Sequence, residues 1–257
     1  LVNRIAGHIG KADLLMGHYG GASPYPQCFP DVEDKVQAGR EVIKAACETL
    51  LKAADALDVK FVMPFAGQYM LGGSLHVLNS YRATLPLDQA VSYLQKLTPR
   101  EVVSVNPFGE IDLTSGNKTA DYSEPSQQIS TDYEIKLSHM RFFYEKQDPY
   151  TWTSSSTDLE IAAKSISQRS NLARIGFSNS FVIGDGDKWI TINFDSKNLE
   201  TTFRLGREPK FEDVTEILMH PELLRQLSTR RRGYKGFTTM HWNQADVGSH
   251  FQWKRNG

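Results

Sequence analysis

The sequence predicts an α/β portion over about residues 1–115 followed by an α+β portion over about 130–257. Three observations carry this expectation. In the first portion, short apolar runs alternate with one long stretch of helical period and two glycine pairs. Over 106–130 the composition turns polar, with Pro107, Gly109, Gly116 and Pro125 set among Ser, Thr, Asn and Gln, so this stretch reads as a linker or long surface loop. Beyond it, β-branched and aromatic runs are punctuated by glycine and aspartate.

Taken in order, Asp13-Leu14-Leu15-Met16-Gly17 reads as a short buried strand entering a glycine-rich loop. Gly20 and Gly21 open backbone angles closed to other residues, and Pro24 and Pro26 stiffen the end of the loop. Such a loop fixes a few groups at a strand's carboxyl end, where open α/β folds commonly hold ligands. A helix is predicted over about 34–57, because Val36, Ile43, Cys47, Leu50, Ala54 and Leu57 recur as one apolar stripe. Arg40, Glu41, Lys44, Glu48 and Lys52 take much of the wetter face. Val59-Lys60-Phe61-Val62-Met63 is a strand stopped by Pro64, followed by Phe65-Ala66-Gly67-Gln68-Tyr69 and the second glycine pair, Gly72-Gly73. A second helix is expected over 87–97 and a strand over 101–105.

In the later portion a helix is expected over 159–172. Strands at 181–183 and 189–194 flank the turn Gly184-Asp185-Gly186-Asp187, with a further strand at 202–205. Phe211-Glu212-Asp213-Val214 is expected to open a short helix holding Ile217, Leu218, Leu223, Leu224 and Leu227. Extended segments are expected over 236–240 and 247–253.

A chain of 257 residues suffices for one large or two small domains. The formal charge of -1 argues against wholesale nucleic-acid or acidic-membrane binding. No apolar run approaches the roughly 18 residues of a membrane span, and the first ten residues lack a signal-peptide pattern. Cys28 and Cys47 alone make no disulfide scaffold and suit a reduced, cytoplasmic setting. The chain starts at Leu1 rather than at methionine, which is expected of a processed protein or the remainder of a longer one. Nothing in the sequence argues against a homo-oligomer.

Two stretches concentrate chemistry. His18, just past a strand and before two glycines, can bind metal, shuttle a proton, or simply bond to loop backbone. Tyr19 and Tyr25 offer flat faces with hydroxyl tips, suited to a sugar or nucleotide and equally to packing. Gly20 and Gly21 lack the order of a phosphate-binding loop. Gln68 and Tyr69 can project from a strand end into the same cleft.

The second stretch runs from His241 to His250, with Trp242, Asn243, Gln244 and Asp246 between them. The two histidines are nine residues apart, so one straight strand points them to opposite faces and only a bend can join them at a metal. The run therefore reads as a bent edge that supports a cleft, and contact with the His18-to-Pro26 loop is expected. Arg230, Arg231 and Arg232 can hold a phosphate or carboxylate, or cap a solvated helix end.

Asp13-Leu-Leu-Met-Gly-His-Tyr-Gly-Gly-Ala-Ser-Pro-Tyr-Pro-Gln-Cys-Phe resembles a segment of the metallo-β-lactamase-fold superfamily, in the branch containing CMP-N-acetylneuraminate hydroxylase and related amino-sugar-modifying proteins. Pro64-Phe65-Ala66-Gly67-Gln68-Tyr69 and the segment from Trp242 to His250 are similar to two later segments of such proteins. The resemblance covers the first 80 and the last 20 residues best. It implies the C-terminal half of a metallo-β-lactamase-like αββα fold, followed by the α+β domain.

In that superfamily the first half of the fold carries His-x-His-x-Asp-His, which binds one or two metals, usually zinc or iron. This chain has no such spacing. A later family histidine follows the strand equivalent to Phe61-Val62-Met63, where this chain reads Pro64-Phe65-Ala66. The metal motif is then expected in an N-terminal segment or a companion chain, or it has been lost or rebuilt.

The implied activity is a metal-dependent hydrolase, or hydroxylase, acting on an amino sugar or sugar nucleotide. The other reading is a noncatalytic binding or assembly module that has lost the metal site. His18 is the catalytic candidate, and Tyr19, Tyr25, Gln68, Tyr69, Asn243 and Arg231 are the substrate-contacting candidates. Candidate zinc or iron ligands are His18, His76, His241 and His250, with His76 standing in for the absent family histidine. The region over 158–255 resembles sterol-carrier-like α+β modules.

Overall fold

Two apolar tetrapeptides and a dipeptide, each too short to persist alone, form a parallel sheet because a helical crossover covers them. The computed structural model describes residues 2–21, 23–146, 178–184, 189–195, 200–220, 223 and 249–256. The chain divides into two compact units. The first comprises Leu1–Pro26, Asp34–Leu71 and His76–Ser138; the second comprises Gln27–Glu33, Gly72–Leu75 and His139–Gly257. Residues 27–33 and 72–75 thus belong with the later part of the chain, an arrangement that composition along the sequence cannot signal.

In the first unit, α1 (Val2–Ile9) precedes β1 (Leu14–Gly17), α2 (Lys35–Ala56) and β2 (Phe61–Pro64). After a 3-10 helix (Gly73–Tyr81) come α3 (Leu87–Gln95), β3 (Glu101–Val102) and α4 (Gln127–Ser138). The strands lie in the order β1-β2-β3, all parallel, with Leu15 opposite Val62 and Val62 opposite Val102. That face packs against Ile43, Cys47, Leu50 and Ala54 of α2 and Ala90 and Leu94 of α3. Burying each such Leu, Ile or Val contributes roughly 1.5–3 kcal/mol. Asp34 caps α2 by accepting the Gln37 N–H at 2.8 Å. Val36 departs from the expected stripe: it stays 47% exposed in the first turn of the helix.

The opposite face carries Phe61, Met63 and Val103, packed by Leu14, Val105, Ile111 and Leu113. The polar segment after β3 is therefore not a linker but a cover. Asp112 folds it back by accepting the Thr114 N–H and the Ser115 hydroxyl, and Ile111 bridges Lys118. The strand expected over 101–105 is shorter as a ladder, since only Glu101 and Val102 pair with β2. Helices α1 and α4 lie outside the expected elements. Within α4, Ile129, Tyr133 and Ile135 all stay more than half exposed, so its sequence has no sustained apolar stripe to recognise.

The second unit is a five-stranded mixed sheet of β4 (Asn179–Gly184), β5 (Trp189–Asp195), β6 (Glu200–Leu205), β7 (Val214–Met219) and β8 (Phe251–Asn256). Their order is β6-β5-β4-β7-β8, with β4 and β7 parallel and the other neighbours antiparallel. Phe181, Ile183, Ile190, Ile192, Phe194, Ile217, Met219, Phe251 and Trp253 share one packed cluster with Tyr144 and Leu223. The other face sets buried polar groups beside apolar Val182. Ser180, Thr191 and Asn193 are covered by the loop after β6, whose Lys210 and Phe211 N–H groups donate to the Ser180 hydroxyl at 3.0 and 3.1 Å. Glu216 pairs with Arg207 of the same loop.

Strand β7 corrects the helix expected from residue 211. Ile217 and Met219 face the core while Glu216 faces the loop, a period of two. Ladders to β4 and β8 on both sides hold it extended, so tertiary pairing overrides the apparent helical spacing. Along the free side of β8, the Cys28 carbonyl accepts the Trp253 N–H at 2.9 Å and Phe29 stacks on Trp253, which is why 27–33 joins this unit. The helix expected over 159–172 and the extended segment over 236–240 lie outside the described residues. No helix among the described residues is long and apolar enough to cross a membrane.

One polar cluster sits against the second core. The Tyr144 hydroxyl lies 2.7 Å from His250 Nδ1, and the Phe142 ring meets His250 edge-on at 4.7 Å. Glu145 accepts from the Ser74 hydroxyl and the Phe142 N–H. Burial lowers the His250 pKa, with the Glu145 charge opposing, and burial raises that of Tyr144. The phenol therefore stays protonated beside an imidazole whose charged form burial disfavours, and the imidazole tautomer sets which of the two donates. Because the unfolded chain takes up the imidazole proton more readily, His250 stabilises the fold above the ordinary histidine range. That contribution is lost as pH falls toward the lowered folded value. The urea midpoint should drop between about pH 7 and 5, and His250→Gln should flatten that drop; an identical slope in the variant would contradict this role.

Candidate functional site

The loops leaving β1, β2 and β3 meet at the carboxyl edge of the parallel sheet, where open α/β sheets hold ligands. They enclose a cleft of about 220 Å³ lined by Tyr19, Met63, Pro64, Phe65, Ala66, Gly67, Gln68, Leu87, Ser104 and Val105. Tyr19 follows β1, Phe65-Ala66-Gly67-Gln68 follow β2, and Ser104-Val105 follow β3. The Phe65 N–H donates to the Gly17 carbonyl at 2.8 Å, tying the first two loops together at their base.

Gly67 is the close contact. A Cβ there would lie 2.5 Å from two atoms of the Tyr19 ring, so backbone rests directly against the aromatic face. Gly20 is similarly confined, with a Cβ 3.1 and 3.2 Å from the Ala83 and Gly67 carbonyls. Tyr19 is buried and donates from its hydroxyl to the Leu85 carbonyl at 3.2 Å. Burial first, then the charge of Glu124, raises its pKa, so the phenol stays protonated. Ala66, between Phe65 and Gly67, takes a φ of 52°, which costs about 1–2 kcal/mol for a residue with a Cβ.

Phe65 is 57% exposed and lines the cleft, so its ring is the aromatic surface open to a ligand. Beside it stand the Gln68 amide and the Ser104 hydroxyl, both neutral hydrogen-bonding groups. Gln68 donates from Nε2 to Glu124 Oε1 at 3.3 Å. The same oxygen accepts the Leu87 N–H at 2.6 Å and the Asp88 N–H at 3.4 Å, so Glu124 caps the positive end of α3.

Of the residues singled out in the sequence, Tyr19 and Gln68 meet in this cleft. Tyr69 is half-buried; its hydroxyl donates to the Ser23 carbonyl at 3.4 Å, and the Arg82 guanidinium lies over its ring. Tyr25 is half-buried, its N–H donating to the Ser23 hydroxyl. His18 is exposed at the end of β1, and His76 is exposed in the 3-10 helix. His250 packs in the second unit with Tyr144. Arg231, His241 and Asn243 lie outside the described residues, as does most of the terminal run and hence its expected contact with the His18-to-Pro26 loop.

Sequence reading passes over Phe65, Ser104 and Glu124. Phe65 carries a usable signal just past a predicted strand, and Ser104 a weaker one in the last two residues of another; Glu124, in a polar segment, carries none.

Among the described residues no three His, Cys, Asp or Glu side chains come together to hold a metal ion. The Cys47 thiol is buried and pushed up to about 11, which keeps it protonated and a poor ligand. No protein-family model, curated protein or solved structure matches the chain.

Gly67→Ala should destabilise the protein by about 1–3 kcal/mol, since the new methyl must displace the Tyr19 ring. In urea denaturation, Tyr19→Leu combined with Gly67→Ala should cost less than the sum of the two single changes. Strict additivity would show that the close approach is not what holds the loops.

Proposed function

We propose that the first unit is the ligand-binding part of a metallo-β-lactamase-like protein, holding an amino sugar or sugar nucleotide in the cleft at the carboxyl edge of its sheet. The observation that carries this reading is the composition of the cleft. An open aromatic face, Phe65, stands beside the Gln68 amide and the Ser104 hydroxyl in a volume of about 220 Å³. A sugar offers a C–H face to stack on an aromatic ring and hydroxyl groups that both donate and accept. Tyr19 acts as the floor that fixes the Gly67 backbone rather than as an acid or base, because its raised pKa keeps the proton in place.

The wider reading is a hydrolase, or a hydroxylase, whose zinc or iron motif is supplied by an N-terminal segment or a companion chain, with exposed His18 facing the chemistry. The second unit, with its five-stranded mixed sheet, is read in the same proposal as a sterol-carrier-like module. The noncatalytic binding module is the second reading. It is favoured by the neutrality of the lining: each of the ten residues around the cleft is apolar, uncharged or keeps its proton.

Titration calorimetry with glucosamine and N-acetylglucosamine tests the binding claim. Phe65→Ala should weaken whichever sugar binds by about three- to tenfold, while Phe108→Ala, at a wholly exposed residue outside the cleft, should change nothing. Equal affinity in wild type and Phe65→Ala would contradict the cleft as the site. Stoichiometric zinc or iron in the intact protein, with turnover lost in His18→Ala, would favour the hydrolase over the binding module.

A further inference from the structure

Charge around the cleft narrows the ligand. None of the ten lining residues is cationic, and the Glu124 carboxylate is bonded to two of them, with Asp88 next in sequence to the lining residue Leu87. Glu124 Oε1 is bound to the backbone of one lining residue, Leu87, and to the side chain of another, Gln68. Asp88 is the next residue along α3, its carboxylate accepting the Gln89 N–H at 2.7 Å. The field of both reaches the cleft floor: each adds to the rise in the Tyr19 pKa, after burial itself.

The amino end of α3 is the obvious place for a phosphate, since a helix start presents free N–H groups and a positive dipole end. Here that place is filled by the protein's own carboxylate. The Arg82 guanidinium is turned elsewhere, donating from Nε to the Asn79 carbonyl and lying over Tyr69.

We infer that the cleft selects by charge, taking an amino sugar with a free ammonium group in preference to its N-acetylated form or to a phosphate-bearing sugar nucleotide. This rests on the sugar-binding reading and chooses within it. Glu124 is the specificity-determining residue, with Asp88 adding to the same field. The carboxylates are partly solvated, so the preference is moderate: about three- to fivefold at low salt, the size expected of a solvent-screened ion pair.

The test compares affinities of the intact protein for glucosamine, N-acetylglucosamine and UDP-N-acetylglucosamine at about pH 6.5, where an amine is protonated. The expected order is glucosamine first and the nucleotide last, with the gap between the two free sugars narrowing as salt rises. Glu124→Gln, which keeps an oxygen for the Leu87 N–H but removes the charge, should bring the two sugars toward equal affinity. Asp88→Asn, at an exposed position that does not threaten folding, should narrow the gap part of the way. N-acetylglucosamine or the nucleotide binding as tightly as glucosamine would overturn the charge selection and leave sugar binding standing. Failure of all three to bind would overturn both.

Discussion

The contact between the Gly67 backbone and the Tyr19 ring is the constraint on which the cleft depends. It joins the loop after β1 to the loop after β2 at a distance only glycine permits. Packing cannot relax easily there, because the ring is itself buried and its hydroxyl is bonded to Leu85. With Gly67 pressed inward, Ala66 is held in the left-handed region and Phe65 is turned outward. Strain at one residue thus accompanies an aromatic side chain presented to solvent, a combination that recurs at ligand sites.

A second constraint works from further along the chain. The segment after β3 covers one sheet face with Ile111 and Leu113 and then delivers Glu124 to the start of α3. A single carboxylate satisfies two backbone N–H groups, orients Gln68 and sets the sign of the local field. The same economy of polar groups recurs in the second unit, where Ser180, Thr191 and Asn193 are buried only because the loop after β6 supplies their partners. In the first unit that loop is held by both apolar packing and hydrogen bonds, and in the second the hydrogen bonds satisfy polar groups that would otherwise be buried alone.

Legibility in the sequence ends where local periodicity ends. The spacing of Ile43, Cys47, Leu50 and Ala54 marks α2, and compact apolar runs mark β1, β2, β4 and β5. The segment from Val214 to Met219 misleads because its apolar residues fit a helix as well as a strand, and only pairing on both sides decides between them. At the site, Tyr19 and Gln68 are visible as polar or aromatic residues past strand ends. Tyrosines are the natural choice for stacking, yet the structure buries Tyr19 and exposes Phe65. Glu124 is invisible because its role depends on a contact 37 residues away in sequence, with Leu87.

Amide chemical-shift mapping of the intact protein during titration with glucosamine tests the central claim most directly. The largest perturbations should fall on Phe65, Ala66, Gly67, Gln68, Ser104 and Val105, and the same set should saturate together. Perturbations centred on the second unit, or scattered without saturation, would contradict the assignment of the cleft as the binding site.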